Sequence, residues 1–508
     1  MNKNPVAEYL AATPADKISN SYLAYLCNLT ETAKVAPEIA ASIVAELESQ
    51  RTRVKLIASE NYSSMAVQLS MANLLTDKYS EGMPGHRFYA GNENVDAIET
   101  LAAKEARELF NCEYANVQPH CGADANLLAY WAILNTRVEM KALQKFGEAN
   151  NGDTNLYKLS DAQWKELKAE LGNQRLLGLD YFSGGHLTHG YRYNFSSKLF
   201  DIYSYSVSRE TGLLDYDQIE IQAKKVRPLI LLAGYSAYPR KINFKRMRQI
   251  ADSVGAVFMV DMAHFAGLVA GKVFTGDYDP VAHAHVVTTT THKTLRGPRS
   301  GLVLSVKEFA ESLDKGCPLT MGGPLPHVIA SKAVAFKEAK TEEFREYAAK
   351  IVENCQSLAA SCIKNGLDVL TGGTDNHLFL ANIAKLGLTG RQGETVCNDC
   401  NIILNRNSLP FDPNGPWYTS GLRIGTAAVT SLGMGKPEMD ELGEIITGIL
   451  KNTKAAANHK DPSKPSKVKY IIDENAKIRA MARVRELMSR FPVYPQIDLE
   501  FLKKSFCR

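Results

Sequence analysis

Val286-Val-Thr-Thr-Thr-Thr-His-Lys-Thr-Leu-Arg-Gly-Pro-Arg299 runs from a β-branched row into a polar turn that carries one lysine, Lys293, beside His292. Such a row has high β-propensity and suits a strand covered on both faces, so the turn after it is delivered rigidly to one edge of a sheet. Burial lowers the pKa of an amine, and the neutral amine is a nucleophile that condenses with an aldehyde cofactor. A solvated strand end would use the same residues equally well.

Other reactive groups stand at the ends of apolar runs. Pro228-Leu-Ile-Leu-Leu-Ala-Gly-Tyr-Ser-Ala-Tyr238 has Ser236 in its polar tip, and Ala256-Val-Phe-Met-Val-Asp261 ends in an acid with His264 close behind. An acid and a lysine at two strand ends form the pair expected of pyridoxal phosphate enzymes, in which the acid keeps the ring nitrogen protonated. Gln118-Pro-His-Cys-Gly-Ala-Asp-Ala-Asn126 opens a helix after a short strand. The N–H groups of Gly122 and Ala123 there suit a phosphate, and an ordinary connection looks much the same. Arg423, between Leu422 and Ile424, needs an anionic partner to offset its desolvation: a substrate carboxylate or an internal acid. Gly184-Gly-His-Leu-Thr-His-Gly190 puts two histidines among glycines, which favours a ring set against a ligand over a helical metal site. Cys397 and Cys400 have metal spacing without a second pair, so two helix-borne thiols are expected and no metal.

Strand, helix and strand alternate from about residue 190 to 306, which implies a parallel sheet with right-handed crossovers. Ligands then sit beyond the carboxyl ends of the strands, where Ser236, Asp261, His264 and Lys293 would converge on one cleft. Val328 to about Asn365 reads as one long helix, followed by short strands and helices. The expected organisation is an N-terminal arm with helices over 1–75, a large α/β domain over 76–340, and a C-terminal α+β domain over 341–508. A polar, lysine- and glutamate-rich stretch at about 138–175 reads as a surface insertion with a solvated helix. Lys78-Tyr-Ser-Glu-Gly-Met-Pro-Gly-His-Arg-Phe-Tyr-Ala-Gly91 is a glycine-punctuated aromatic loop of the kind that binds something.

At 508 residues with 45% hydrophobic and 22% charged content, the chain reads as a multi-domain globular protein. A net charge of +4 gives no reason to invoke nucleic acid or a membrane surface. No apolar run is long enough to span a bilayer, and the polar N-terminus has no secretory pattern. Nine scattered cysteines fit reduced thiols, so a cytoplasmic location is expected.

Leu56-Ile-Ala-Ser-Glu-Asn61, Lys78-Tyr-Ser-Glu-Gly82, Gly184 to Gly190, Val260-Asp-Met-Ala-His-Phe-Ala-Gly-Leu-Val269, Thr288 to Thr294, Gly372-Gly-Thr-Asp-Asn-His377 and Thr419-Ser-Gly-Leu-Arg423 resemble, in order, the motifs of the serine hydroxymethyltransferase family. The resemblance runs from about Leu56 to Ala428. It implies a fold type I pyridoxal phosphate enzyme, with a mostly parallel seven-stranded sheet flanked by helices. It also implies a homodimer or dimer of dimers that passes the serine hydroxymethyl group to tetrahydrofolate. By the same resemblance, Lys293 holds the cofactor, Asp261 pairs with its ring nitrogen, and His186 stacks on its face. Ser236 and His264 lie near its phenolic oxygen, and His292 near its phosphate. Arg423 and Ser59 hold the substrate carboxylate, and Glu81 is the acid/base beside the hydroxymethyl group, in a pocket that raises its pKa. Tyr79, Glu81 and Tyr89 come from the neighbouring subunit, as does a glycine N–H at Gly323 that reaches the phosphate. Leu187, Asn407, Gly185, Tyr181 and Phe88 fall at folate positions.

The chain departs from the family pattern in several places. Cys121-Gly-Ala123 replaces a Ser-Gly-Ser phosphate turn, and Leu319-Thr-Met-Gly-Gly323 a glycine-rich loop. Phe88 stands for a tyrosine, Tyr181 for a leucine and Ala90 for a glycine. Two other readings remain at this point: a folate-independent pyridoxal phosphate aldolase or racemase, and a non-catalytic protein that keeps the fold.

Overall fold

The computed structural model describes residues 4–149 and 153–507; residues 150–152 of the expected insertion lie outside it, as do 1–3 and 508. Its centre is a seven-stranded sheet. In spatial order the strands are Tyr114–Asn116, Gly301–Ser305, Val286–Thr290, Val257–Asp261, Ile230–Gly234, Arg175–Leu179 and Asp201–Tyr205. All neighbours pair in parallel except Gly301–Ser305, which is antiparallel to both of its partners. Every residue of Val286–Thr290 is buried, so the β-branched row is covered on both faces as expected.

Helices cover the two faces and separate the core into two layers. One is built on Phe244, Phe258, Phe265 and Phe336, the other on Leu128, Ile133, Leu232 and Met259. The crossover helix Phe244–Val254 shows how local signals place an element. The Asn243 side chain accepts from the Arg246 N–H at its start, and Gly255, at φ +71°, ends it in a left-handed turn.

A second sheet, in the order Asp368–Val369, Leu378–Asn382, Gly421–Gly425 and Asn405–Asn407, is antiparallel throughout. It has its own core around Phe379, Ile424 and Leu442, to which Val54 and Leu56 contribute from far upstream. Val54–Lys55 pairs in parallel with Ile402–Ile403. The first described residues are helical, Pro5–Ala12 and Asn20–Val35. Tyr22, Leu26 and Leu29 pack against Val44 and Leu47 and against Ile497 and Leu502 near the C-terminus.

Two expectations need correction or detail. The long helix read from Val328 to about Asn365 is two helices, Pro326–Ala339 and Glu342–Lys364. The break is chemical: Thr341 accepts from the Phe344 N–H and starts a new helix whose first turn carries Glu342 and Glu343. The segment at 138–175 contains Met140–Ala149 and Asp161–Gly172, which share a small core of Ala142, Phe146 and Leu167. Its second helix begins with a capping box between Ser160 and Gln163. Among the described residues, no helix is long and apolar enough to cross a membrane.

Candidate active site

A cleft of about 810 Å³ opens at the carboxyl ends of the parallel strands, between the two sheets. Ser236, Asp261, His264 and Lys293 all line it, as the sequence predicts from strand polarity alone. So do Ser59, Gly122, Ala123, Tyr181, Gly185, His186, Leu187, His292, Asn407 and Arg423.

Lys293 stands three positions beyond its strand, and its side chain makes no hydrogen bond or ion pair to any described residue. Burial lowers its pKa to about 8; Asp261 opposes that shift, and Arg423 and Arg299 add to it. The loop is pinned from behind. Asn61 Nδ2 donates to the Lys293 carbonyl at 2.9 Å, and Gly297 N–H donates to the Thr291 carbonyl at 2.7 Å. Thr294 Oγ1 donates to the His264 carbonyl at 2.9 Å, which ties the lysine loop to the loop after Asp261.

Asp261 ends its strand fully enclosed. Burial pushes its pKa up, but hydrogen bonding and charge from His189, with Asn126, outweigh burial and hold the carboxyl below its usual range. His189 Nε2 lies 3.1 Å and Asn126 Nδ2 2.9 Å from the same oxygen, Oδ2. Asn126 is itself oriented by Thr188 and Thr288 at 2.7 and 2.5 Å. His186, His189 and Asp261 also lie close enough together to hold a metal ion. The loaded Oδ2 instead fits an acid fixed in place to meet a ligand from its other side.

The cleft histidines are neutral bases. Burial lowers His186 to about 4, with Asp261 opposing. Burial, Arg423 and Lys293 lower His377 to about 3, and burial drives His264 well below its ordinary value. His264 Nδ1 and His377 Nε2 are 3.3 Å apart, so one neutral ring donates and the other accepts.

Arg423 settles one alternative left open by the sequence. Its guanidinium makes no ion pair among the described residues. Nε donates to Asn405 Oδ1 at 3.1 Å and Nη1 to the Ser236 carbonyl at 2.6 Å. These neutral contacts aim the group at the cleft without neutralising it, and burial lowers its pKa to about 10.

At the other end of the cleft, Cys121 is the N-cap of Gly122–Leu134 and accepts no capping hydrogen bond. Backbone N–H groups of a first turn are therefore left for an anion. A Cβ on Gly122 would come within 2.7 Å of Thr290 Cγ2, so only glycine lets this turn approach the strand as it does. Burial, Lys293 and Arg299 lower His292 to about 3, and its buried Nδ1 has no partner among the described residues. These features fit pyridoxal phosphate: a free amine for its aldehyde, an ionised acid for its ring, and open N–H groups with an orphaned imidazole nitrogen for its phosphate.

Five expected site residues lie elsewhere. Tyr79, Glu81, Phe88, Tyr89 and Gly323 do not line the cleft of their own chain. Tyr79 and Tyr89 meet edge to face with ring centroids 5.0 Å apart, Gly323 packs on the Tyr79 ring, and Tyr79 and Phe88 are 57% and 73% exposed. The loop is nonetheless tied down by side-chain contacts. Arg87 donates to the Ser80 and Gly82 carbonyls and pairs with Asp96 and with buried Glu99.

Sequence reading missed Asn126, His189 and His377 as active-site supports. His189 had a signal, since it shares a glycine-rich loop with His186. Asn126 and His377 end stretches the sequence singles out, but nothing in those stretches points to their partners, which are remote in the chain.

A sequence profile described as serine hydroxymethyltransferase matches residues 32–162 and 157–446. The chain is 56% identical to the serine hydroxymethyltransferase of Treponema pallidum (strain Nichols), over 100% of this chain and 87% of the relative. It is 53% identical to that of Mycolicibacterium smegmatis, over 96% and 97% of the two chains. With that of Salinispora tropica it shares 54% identity over 94% and 98%.

Proposed function

The chain belongs to the serine hydroxymethyltransferase family of pyridoxal-phosphate-dependent transferases, and from the cleft geometry we propose how its residues divide the work of moving the serine hydroxymethyl group to tetrahydrofolate, giving glycine and 5,10-methylenetetrahydrofolate. The observation that carries the division is the placing of Lys293, ionised Asp261 and unpaired Arg423 around one cleft.

Pyridoxal phosphate, when bound, supplies an aldehyde that condenses with amines and a protonated ring that draws electron density from the bonds at the amino acid Cα. Lys293 provides the resident amine, and its lowered pKa leaves a useful neutral fraction near neutral pH. Asp261, held ionised by His189 and Asn126, would keep a proton on the ring nitrogen. His186, a neutral imidazole lining the cleft, would pack against the ring, and Ser236 and His264 would hold its phenolic oxygen. Gly122 and Ala123 N–H groups, with His292, receive the phosphate.

Arg423 and Ser59 hold the substrate carboxylate. A two-pronged grip by Arg423 would fix how the amino acid is turned in the cleft, and so which of its Cα bonds is set up to break. Leu187, Tyr181, Gly185 and Asn407 line the same cleft and receive the pterin. Glu81, half-buried on this loop, serves the cleft of a second copy and holds or releases the proton of the serine hydroxyl. Tyr79, Phe88 and Tyr89 accompany it across the same contact, and the assembly is a homodimer or a pair of them.

Serine-to-glycine conversion measured with and without tetrahydrofolate tests this reading. Strong stimulation by folate is expected. Equal rates would replace it with a folate-independent aldolase, and no conversion with bound cofactor would remove the catalytic reading.

A further inference from the structure

Lys332 is one of the least exposed charged residues of the protein, at 1% exposure on the helix Pro326–Ala339. Lysine is almost never so enclosed without partners. Its nitrogen faces three carbonyls, to all of which it can donate when protonated: Nζ lies 2.5 Å from the Val117 carbonyl, 2.8 Å from that of Gly301 and 3.1 Å from that of Pro119. These acceptors are not scattered. Val117 and Pro119 lead directly into the Cys121-Gly-Ala123 turn, and Gly301 opens the strand paired with Val286–Thr290, the strand behind Lys293.

The surrounding contacts converge on the same short segment. The Pro119 carbonyl also accepts from Ser300 Oγ at 2.9 Å and from the Gly301 N–H at 3.1 Å. A Cβ on Gly301 would stand 2.3 Å from the Cys121 carbonyl oxygen, so these two backbones are in immediate contact. On the other side, Gln118 Nε2 donates to Glu99 Oε1 at 2.7 Å and to the Gly82 carbonyl at 2.9 Å. The turn after Asn116 is thus gripped from below by side chains that never enter the cleft. It is also the turn that has lost hydroxyl donors, so its hold on an anion rests on backbone position.

We propose that Lys332 is a positioning residue for phosphate binding: by clamping the Val117, Pro119 and Gly301 carbonyls it aims the Gly122 and Ala123 N–H groups at the cofactor phosphate. This rests on the assignment of that turn to the phosphate. An alternative in which Lys332 only satisfies buried carbonyls would affect stability without regard to what occupies the cleft.

The test compares pyridoxal 5′-phosphate with pyridoxal, which lacks the phosphate, by absorbance titration of the full-length protein freed of cofactor. Lys332→Met is expected to weaken binding of the phosphate form about tenfold or more, as for loss of a charge-assisted contact, while leaving pyridoxal binding within about twofold. Ser300→Ala, a smaller change at the same Pro119 carbonyl, is expected to move the phosphate form in the same direction by about threefold. If Lys332→Met does not fold, the Ser300→Ala titration decides. A selective loss there supports the clamp, and unchanged or equal loss for both ligands overturns it. Equal weakening of both ligands in Lys332→Met likewise overturns it. If the unsubstituted protein itself binds the two ligands equally, the phosphate reading of the turn fails, not the clamp alone.

Discussion

His189 Nε2 approaches Asp261 Oδ2 at 3.1 Å in a buried site, and this contact leads the interactions that hold the acid ionised. Burial alone would push the Asp261 carboxyl up and discharge it. The imidazole and the Asn126 amide reverse the sign.

His189→Leu is therefore expected to raise the Asp261 pKa and weaken cofactor binding about tenfold, with a stability loss of about 1–3 kcal/mol for a buried acid that loses this partner. Because the folded-state pKa is depressed, its stabilising contribution is present above the ordinary carboxylate value and is lost as pH falls through the folded one. Acid unfolding followed by circular dichroism should accordingly begin at higher pH in the variant. An unchanged acid limb would show that His189 does not govern the charge.

Lys293 predicts a pH dependence of its own. With its pKa lowered to about 8, the neutral amine fraction climbs between about pH 7 and 9, far below the range of a solvated lysine. The rate at which cofactor-free protein takes up pyridoxal phosphate, read from its absorbance, should rise through that window and level off. A rate still rising beyond about pH 10 would indicate an unperturbed amine.

Arg423→Lys keeps the charge and loses the fork. Nε and Nη1 are already committed to Asn405 and Ser236, so a lysine must give up both of these orienting contacts. KM for serine is expected to rise about 10- to 100-fold, with cofactor absorbance retained. A KM within about twofold would remove Arg423 from the carboxylate site.

Much of this arrangement is legible in the sequence because strand polarity is. Apolar runs that end at Gly234, Asp261 and Thr290 share one direction in a parallel sheet, which brings Ser236, Asp261, His264 and Lys293 to one edge without any contact being known. The division of Pro326–Lys364 at Thr341 was hidden by the apolar spacing continuing on both sides, although Thr341-Glu-Glu343 is a helix start signal. His377 and Asn126 acquire their roles only through contacts more than sixty residues away. Glu81 is the opposite case: its motif is conspicuous, yet its own chain gives it no place in the cleft.

That displacement yields a prediction by mixing. A Lys293→Ala chain and a Glu81→Gln chain, each inactive alone, should regain activity when refolded together, since a hybrid dimer contains one site with both residues intact. Random pairing sets the recovery at about a quarter of the unsubstituted rate. No recovery would place Glu81 in its own chain's cleft.

The central assignment is the amine. Among the described residues two lysines are deeply buried with strongly lowered pKa values, Lys293 at about 8 and Lys332 at about 7, and of the two Lys293 alone lines the cleft. Borohydride reduction of the cofactor-loaded protein, followed by peptide mapping, should find the pyridoxyl group on Lys293 and nowhere else. A label on Lys332, or on any other lysine, would contradict the account.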